Sequence, residues 1–308
     1  MMSRMYPIQR NSRSEFIPVR NLQYHVHCWG TPSSTLPPLV LLHGWMDVGA
    51  SYQFVVDALS EAFMQGRSII APDWRGYGLT QAKGHDCFWF PDYLTDLDLL
   101  LDHYAPGQPV DLVGHSMGGN VAMIYSGVRP ERIRRLINLE GFGMPATKPD
   151  QAAGRYVKWM DEIKSLHRGE IALKPYSDAA GVARRLMKNN PRLSQAKADW
   201  LAPHWAQPNA QGQWHILGDA AHKIVNANLY QVDEVLAIYQ RISAPTLAVE
   251  ASINQMAQWW QDRYSLAEFH ERLKHVPHVS QAVVIDAGHM LHHDQPQQVA
   301  ALIEGFVA

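Results

Sequence analysis

Apolar and polar positions along the chain fall into a few recurring patterns. Ser14 to Arg20 and Leu22 to Trp29 alternate in twos, which predicts a β-hairpin turning at Asn21. Pro38 to His43, Arg67 to Asp73, Val110 to Val113 and Ile133 to Glu140 contain short apolar runs, the pattern of strands buried on both faces. Between them, Ser51 to Gln65 and Asp92 to Tyr104 show helical spacing, with Phe54, Val55, Ala58, Leu59 and Ala62 on one side of the first. Asn120 to Tyr125 reads as a helix directly after the third run. Strands alternating with helices imply an α/β fold: a mostly parallel sheet with helices on both faces.

After Glu140 the alternation stops. From Gly141 to about Arg241 the pattern is helical, with candidate helices at Gln151 to His167, Ala179 to Lys188, Ser194 to Trp205 and Asp219 to Gln240, the last broken around Asn226 to Leu229. Strand patterns resume at Pro245 to Glu250 and Gln281 to Asp286, with helices at Gln261 to Lys274 and Gln295 to Phe306. The expected division is a core of residues 1–140 and 242–308 and a helical cap of residues 141–241. Trp159, Trp200, Trp205 and Trp214 lie in that cap, where they either line an apolar pocket or pack its helices together.

Composition narrows the function classes. A length of 308 residues suits one large domain with an insertion, and 46% hydrophobic against 18% charged residues argues against disorder. A formal charge of -2 supplies no field for nucleic acid or an anionic membrane. No run reaches the ~18 apolar residues of a membrane span. Met1 to Arg20 carries arginines without an apolar core, which speaks against a secretory signal. Cys28 and Cys87 are too few for a disulfide framework, and a reducing cytoplasm is the expected location. No zinc spacing and no dinucleotide fingerprint appears, so neither metal nor organic cofactor is expected. Homo-oligomerisation stays open.

The chemistry concentrates at Gly114-His115-Ser116-Met117-Gly118, a G-x-S-x-G between strand and helix. That setting predicts a nucleophile elbow, a sharp turn exposing the Ser116 hydroxyl. Acyl transfer from serine needs a base, an orienting acid and donors for the oxyanion. The base is expected at His289 in Asp286-Ala287-Gly288-His289-Met290, just beyond the last strand, where ligands of open α/β sheets bind. Of the 16 histidines, His292 and His293 are its nearby alternatives, expected at the surface where a helix begins. The oxyanion donors are expected to be the backbone N–H groups of Met117 and of Trp45, the latter in the loop after His43-Gly44.

His43-Gly44-Trp45-Met46-Asp47, Pro72-Asp73-Trp74-Arg75-Gly76-Tyr77-Gly78, Gly114-His115-Ser116-Met117-Gly118-Gly119 and Gly288-His289 follow one another in this order. Together they resemble the α/β-hydrolase superfamily across essentially the whole chain. The His-Gly-Trp-x-Asp opening and the cap segment Leu186-Met187-Lys188-Asn189-Asn190-Pro191-Arg192-Leu193-Ser194 are similar to serine hydrolase-like proteins. The resemblance implies that Asp73-Trp74-Arg75-Gly76 is a bracing turn after a strand.

It also implies an acid a few residues after the strand that follows the cap, yet that loop reads Ala251-Ser252-Ile253-Asn254-Gln255. Haloalkane dehalogenases and some relatives carry the acid instead at the end of the strand after the elbow helix, where this chain has Glu140. Glu140 is therefore the expected acid, with Glu250 and Asn254, or no conventional acid, as alternatives. The expected activity is a cofactor-free serine hydrolase acting on a small, partly hydrophobic ester or related acyl substrate. Epoxide hydrolases and haloalkane dehalogenases place aspartate where this chain has Ser116. The rival readings are a cofactor-independent dioxygenase, in which a histidine–acid pair deprotonates an aromatic substrate, and a ligand-binding relative with little turnover.

Overall fold

Strand β1 (Arg13–Val19) and β2 (Leu22–Trp29) pair antiparallel as the expected hairpin. The computed structural model describes residues 5–32 and 35–308; the first four residues of the arginine-bearing N-terminal stretch lie outside this range. After β3 (Leu39–Leu42), a 3₁₀ turn at Gly49–Tyr52 leads into α1 (Gln53–Ala58) and then α2 (Glu61–Met64). The single helix expected over Ser51 to Gln65 is thus divided. Leu59 is extended (ψ 145°), and the Ser60 hydroxyl restarts the helix by accepting from the Phe63 N–H. β4 (Ile69–Pro72), α3 (Phe90–Tyr104), β5 (Val110–His115), α4 (Met117–Val128) and β6 (Ile133–Leu139) continue the alternation.

The inserted segment contains α5 (Ala152–His167), α6 (Ala179–Asn189) and α7 (Gln195–Trp205). A hairpin of β7 (Ala206–Pro208) and β8 (Trp214–Ile216) follows, and then α8 (Val232–Tyr239). That hairpin departs from the purely helical expectation; three residues a side are too few to leave an apolar run. The helix expected over Asp219 to Gln240 is a 3₁₀ turn at Ala220–Lys223 and the separate α8. The chain closes with β9 (Thr246–Ala251), α9 (Met256–Trp260), α10 (Leu266–Leu273), β10 (Val279–Val284), α11 (Leu291–Asp294) and α12 (Pro296–Val307). The helix expected from Gln261 begins only at Leu266, because Gln261 and Asp262 are left-handed (φ 50° and 58°) and Ser265 caps the new start.

The eight-stranded sheet runs β1-β2-β4-β3-β5-β6-β9-β10, parallel from β4 to β10, with the hairpin antiparallel at one edge. Successive residues serve opposite cores: Val40, Leu42 and Leu112 face one, while Leu39, Leu41, Val113 and Ile137 face the other. Burial on both faces explains why these strands read as unbroken apolar runs. Together with the inserted helices this is the α/β-hydrolase architecture. The cap has its own apolar cluster, where Val182, Ala183, Leu186, Leu193, Ala198 and Leu201 pack with Phe54 of the core. Trp200, Trp205 and Trp214 flank that cluster, and Trp159 faces Trp89 at 6.2 Å.

Candidate active site

Register brings the carboxyl ends of four strands, β3, β5, β6 and β9, together. Gly114 lies opposite Leu42 and Asn138, His115 opposite Leu139, and Leu139 opposite Val249. Ser116 sits between β5 and α4 at φ 53°, ψ -114°, a backbone conformation rare for a residue with a side chain. Its N–H donates to Leu139 O at 2.8 Å and its carbonyl accepts from the Asn120 N–H at 2.9 Å, so the turn is held on both sides. The flanking glycines are required by close approach. A Cβ on Gly114 would stand 2.3 Å from Gly118 O, and one on Gly118 would stand 2.3 Å from Leu42 O.

One strand away, Glu140 directly follows β6 with φ 56° and is buried. Asn138 fixes this turn by donating to Gly141 O at 2.8 Å and accepting from the Gly141 N–H at 3.0 Å. The Glu140 N–H donates to Val249 O, and its carboxylate accepts from the Ala251 N–H at 2.7 Å. His289 approaches from beyond β10. Its Nε2 lies 3.0 Å from Ser116 Oγ and its Nδ1 lies 3.2 Å from Glu140 Oε2. With the proton on Nδ1, the imidazole donates to Glu140 and accepts from the serine hydroxyl. His115 donates from Nε2 to His289 O at 2.7 Å, and Trp259 packs edgewise on the His289 ring at 4.5 Å.

Burial pushes the Glu140 carboxyl above its ordinary pKa, against the hydrogen bonds from His289 and Ala251 that favour the anion. Burial drives the His115 imidazole well below its ordinary value, so it stands behind His289 as a neutral donor. The structure thus brings Ser116, His289 and Glu140 into one line and leaves the other acid candidates elsewhere. Glu250 meets His270 Nε2 at 2.6 Å, and Asn254 accepts from the Met256 N–H at the start of α9.

The loop after β3 lies against the serine: a Cβ on Gly44 would stand 3.1 Å from Ser116 Cβ. His43 anchors this loop, accepting from the Trp74 N–H at 2.9 Å and donating to Gly44 O at 2.8 Å. The exposed Trp45 side chain donates to His222 O of the cap at 3.2 Å, and Met117, as the first residue of α4, has an N–H without an intrahelical acceptor. His292 and His293 correct the expectation of surface residues. Both are buried, packed against Tyr52 and Phe54 of the 49–58 segment. Cys28 and Cys87 are free thiols.

Asp73 and Arg75 brace the surrounding loops. Asp73 accepts from the N–H groups of Gly49 and Leu79 and meets His25 Nδ1 at 2.7 Å. Arg75 forms a two-pronged pair with Asp96 at 2.5 and 2.8 Å. Burial alone would raise the Asp73 pKa, but the His25 hydrogen bond and nearby histidines hold it down to about 2. A depressed carboxylate stabilises the fold above its unfolded pKa and loses that contribution as pH falls through its folded pKa. Asp73→Asn is therefore expected to remove about 2 kcal/mol at neutral pH. The wild-type advantage should shrink between about pH 4 and pH 2; urea unfolding across that range measures it, and a constant gap contradicts it.

Two buried groups among the described residues have donor atoms within 4.8 Å of one another, as metal sites do: His25, His27 and Asp73, and Asp47, His292 and His293. In the first, both His25 nitrogens are already engaged, by Ser14 and by Asp73. In the second, Asp47 also accepts from the Val48 N–H and the Ser51 hydroxyl, serving the loop that follows Trp45. Neither group shares a residue with the Ser116–His289–Glu140 line.

A mostly parallel sheet with a strained serine between strand and helix, a histidine beyond the last strand and a cap between strands defines the class. The chain belongs to the alpha/beta hydrolase fold family, which matches residues 37–296. It is related to the serine hydrolase-like proteins. One from Danio rerio is 23% identical over 306 residues, covering 97% of this chain and 89% of the relative. It is also similar to the cis-3-alkyl-4-alkyloxetan-2-one decarboxylase of Shewanella oneidensis, 25% identical over 277 residues, covering 88% of this chain and 81% of that protein. Among solved structures, the thioesterase domain from the curacin biosynthetic pathway superposes with a TM-score of 0.80 at 24% identity, covering 96% of this chain and 99% of that domain.

Proposed function

We propose that the protein is a serine hydrolase acting on a small, partly hydrophobic ester or related acyl substrate through an acyl-enzyme. The observation that carries this reading is the unbroken line from Glu140 through His289 to Ser116, with gaps of 3.2 and 3.0 Å. Ser116 Oγ attacks the carbonyl carbon as His289 Nε2 takes its proton, while Glu140 stabilises the imidazolium. The N–H groups of Met117 and Trp45 hold the oxyanion. The imidazolium then protonates the leaving group, and water, activated by the same nitrogen, releases the acid and frees the serine. Residues 1–140 and 242–308 form the catalytic core in this reading, and residues 141–241 the lid over it.

The names of the relatives fit the acyl class: a thioester and an oxetan-2-one, which is a cyclic ester, both offer a carbonyl to a nucleophile. No helix of the described residues is long and apolar enough to cross a membrane. A fluorophosphonate probe tests the mechanism. The wild-type protein should gain one adduct, mapped by peptide mass spectrometry to Ser116 and abolished in Ser116→Ala. An adduct elsewhere, or none, overturns the nucleophile. A p-nitrophenyl ester series of increasing chain length then defines the acyl group.

A further inference from the structure

The cap segment singled out by its Asn189-Asn190-Pro191-Arg192 pattern takes no part in the proposed chemistry, yet it grips the loop that carries His289. Asn190, buried at the end of α6, donates from Nδ2 to Asp294 Oδ1 at 2.7 Å. The other oxygen of that carboxylate accepts from the Gly288 N–H at 2.9 Å. Gly288 is the residue immediately before the histidine. Arg192 donates to both the carbonyl and the carboxylate of Asp286, at 3.1 and 2.7 Å. Lys197 of α7 donates to His293 O at 2.6 Å. Residues 190–197 of the cap therefore hold the 286–294 segment on both sides of His289.

We infer that this is a positioning clamp, in which Asp294 relays the seat of the cap to the His289 imidazole. The Asp294 carboxylate hydrogen-bonds Asn190 and the Gly288 N–H, and not the side chains of Ser116 or His289. It acts by fixing the Gly288 N–H and hence the backbone from which the ring projects. Asn190 holds the far side of the same carboxylate, so a displacement of the cap at residue 190 moves the base. Arg192 adds a grip on Asp286, whose backbone is left-handed (φ 56°) and thus sets the direction in which the loop departs from β10. The cap in this arrangement does more than cover a pocket: its docking completes the geometry of proton transfer.

This inference rests on the serine hydrolase reading, and the test separates the two. Asp294→Asn keeps one oxygen but sets two amide NH2 groups against each other at Asn190. It is expected to lower kcat about tenfold to a hundredfold with KM nearly unchanged, since misplacing a reacting group by about 1 Å has effects of this size. The double exchange Asn190→Asp with Asp294→Asn restores the chain of hydrogen bonds with its direction reversed. The amide introduced at position 294 then donates to the carboxylate introduced at position 190, and its oxygen still accepts from the Gly288 N–H. The double exchange should recover most of the lost turnover, which general loss of stability would not allow. Wild-type kcat in Asp294→Asn, or a folded double exchange no better than the single, overturns the clamp. If Asp294→Asn does not fold, Asn190→Ala removes only the cap half and should show the same split of kcat from KM. Should the wild type prove unreactive at Ser116, the hydrolase reading fails while the clamp is still read by 15N-histidine NMR. The His289 ring signals, assigned with His289→Ala, should shift in Asp294→Asn and return in the double exchange; unmoved signals overturn it.

Discussion

Glu140→Gln is expected to lower ester turnover by about 10³–10⁴-fold while changing KM little, because in the proposed mechanism the carboxylate acts on the transition state alone. Two effects combine. The amide removes the negative charge of a buried carboxylate beside the half-buried His289 ring, where charge stabilisation is larger than in water. It also brings an NH2 group that, turned toward Nδ1, favours the histidine tautomer with its proton on Nε2, which cannot accept from Ser116. A loss of 10⁴ corresponds to roughly 5 kcal/mol of transition-state stabilisation. Glu250→Gln is the matched control. It changes a carboxylate on the neighbouring strand, but that group is engaged with His270 and not with His289, so turnover should stay near wild type. Steady-state kinetics on one ester decides the matter: near-wild-type turnover in Glu140→Gln removes it from the mechanism.

The nearness of Glu140 to His289 was legible with the help of the resemblance, which puts an acid at the end of the strand after the elbow helix; the apolar run that ends there carries it to the same sheet edge as the elbow. The elbow was legible for a related reason: a glycine on either side of Ser116 marks backbone packed on backbone, and a Cβ on Gly114 or Gly118 would stand 2.3 Å from a carbonyl oxygen. What escaped the periodicity were breaks inside amphipathic stretches. Ser60 and Ser265 are capping residues that signal a new helix start, yet the apolar spacing continues across both and hides the interruption. The cap hairpin announced itself only through turn chemistry at Asn209, whose side chain accepts from the N–H groups of Gln211 and Gln213. Burial of His292 and His293 had no local signal at all. Their surroundings come from Tyr52 and Phe54, more than two hundred residues earlier in the chain. The link between Asn190 and Asp294 spans 104 positions and is likewise a product of tertiary structure.

Ser116→Ala and His289→Ala are each expected to reduce turnover by about 10⁶-fold, and the double variant should be no worse than either single. In the proposed mechanism nucleophile and base act as one unit: without the hydroxyl the imidazole has no proton to take, and without the imidazole the hydroxyl stays a poor nucleophile. Independent contributions would instead multiply and leave the double variant far below the singles. The same comparison separates acyl transfer from the rival in which a histidine–acid pair deprotonates an aromatic substrate. In that chemistry Ser116 forms no bond to substrate, so Ser116→Ala would keep substantial activity while His289→Ala lost it. The structure supplies both reactions with the same His289–Glu140 pair, at 3.2 Å, and the hydroxyl 3.0 Å beyond it is the feature that tells them apart. Ester hydrolysis by the two singles and the double, followed alongside oxygen uptake on hydroxyquinolone-type substrates, puts that hydroxyl to the test. Equal and non-additive losses of hydrolysis assign it as the nucleophile, and an active Ser116→Ala returns the site to general-base chemistry.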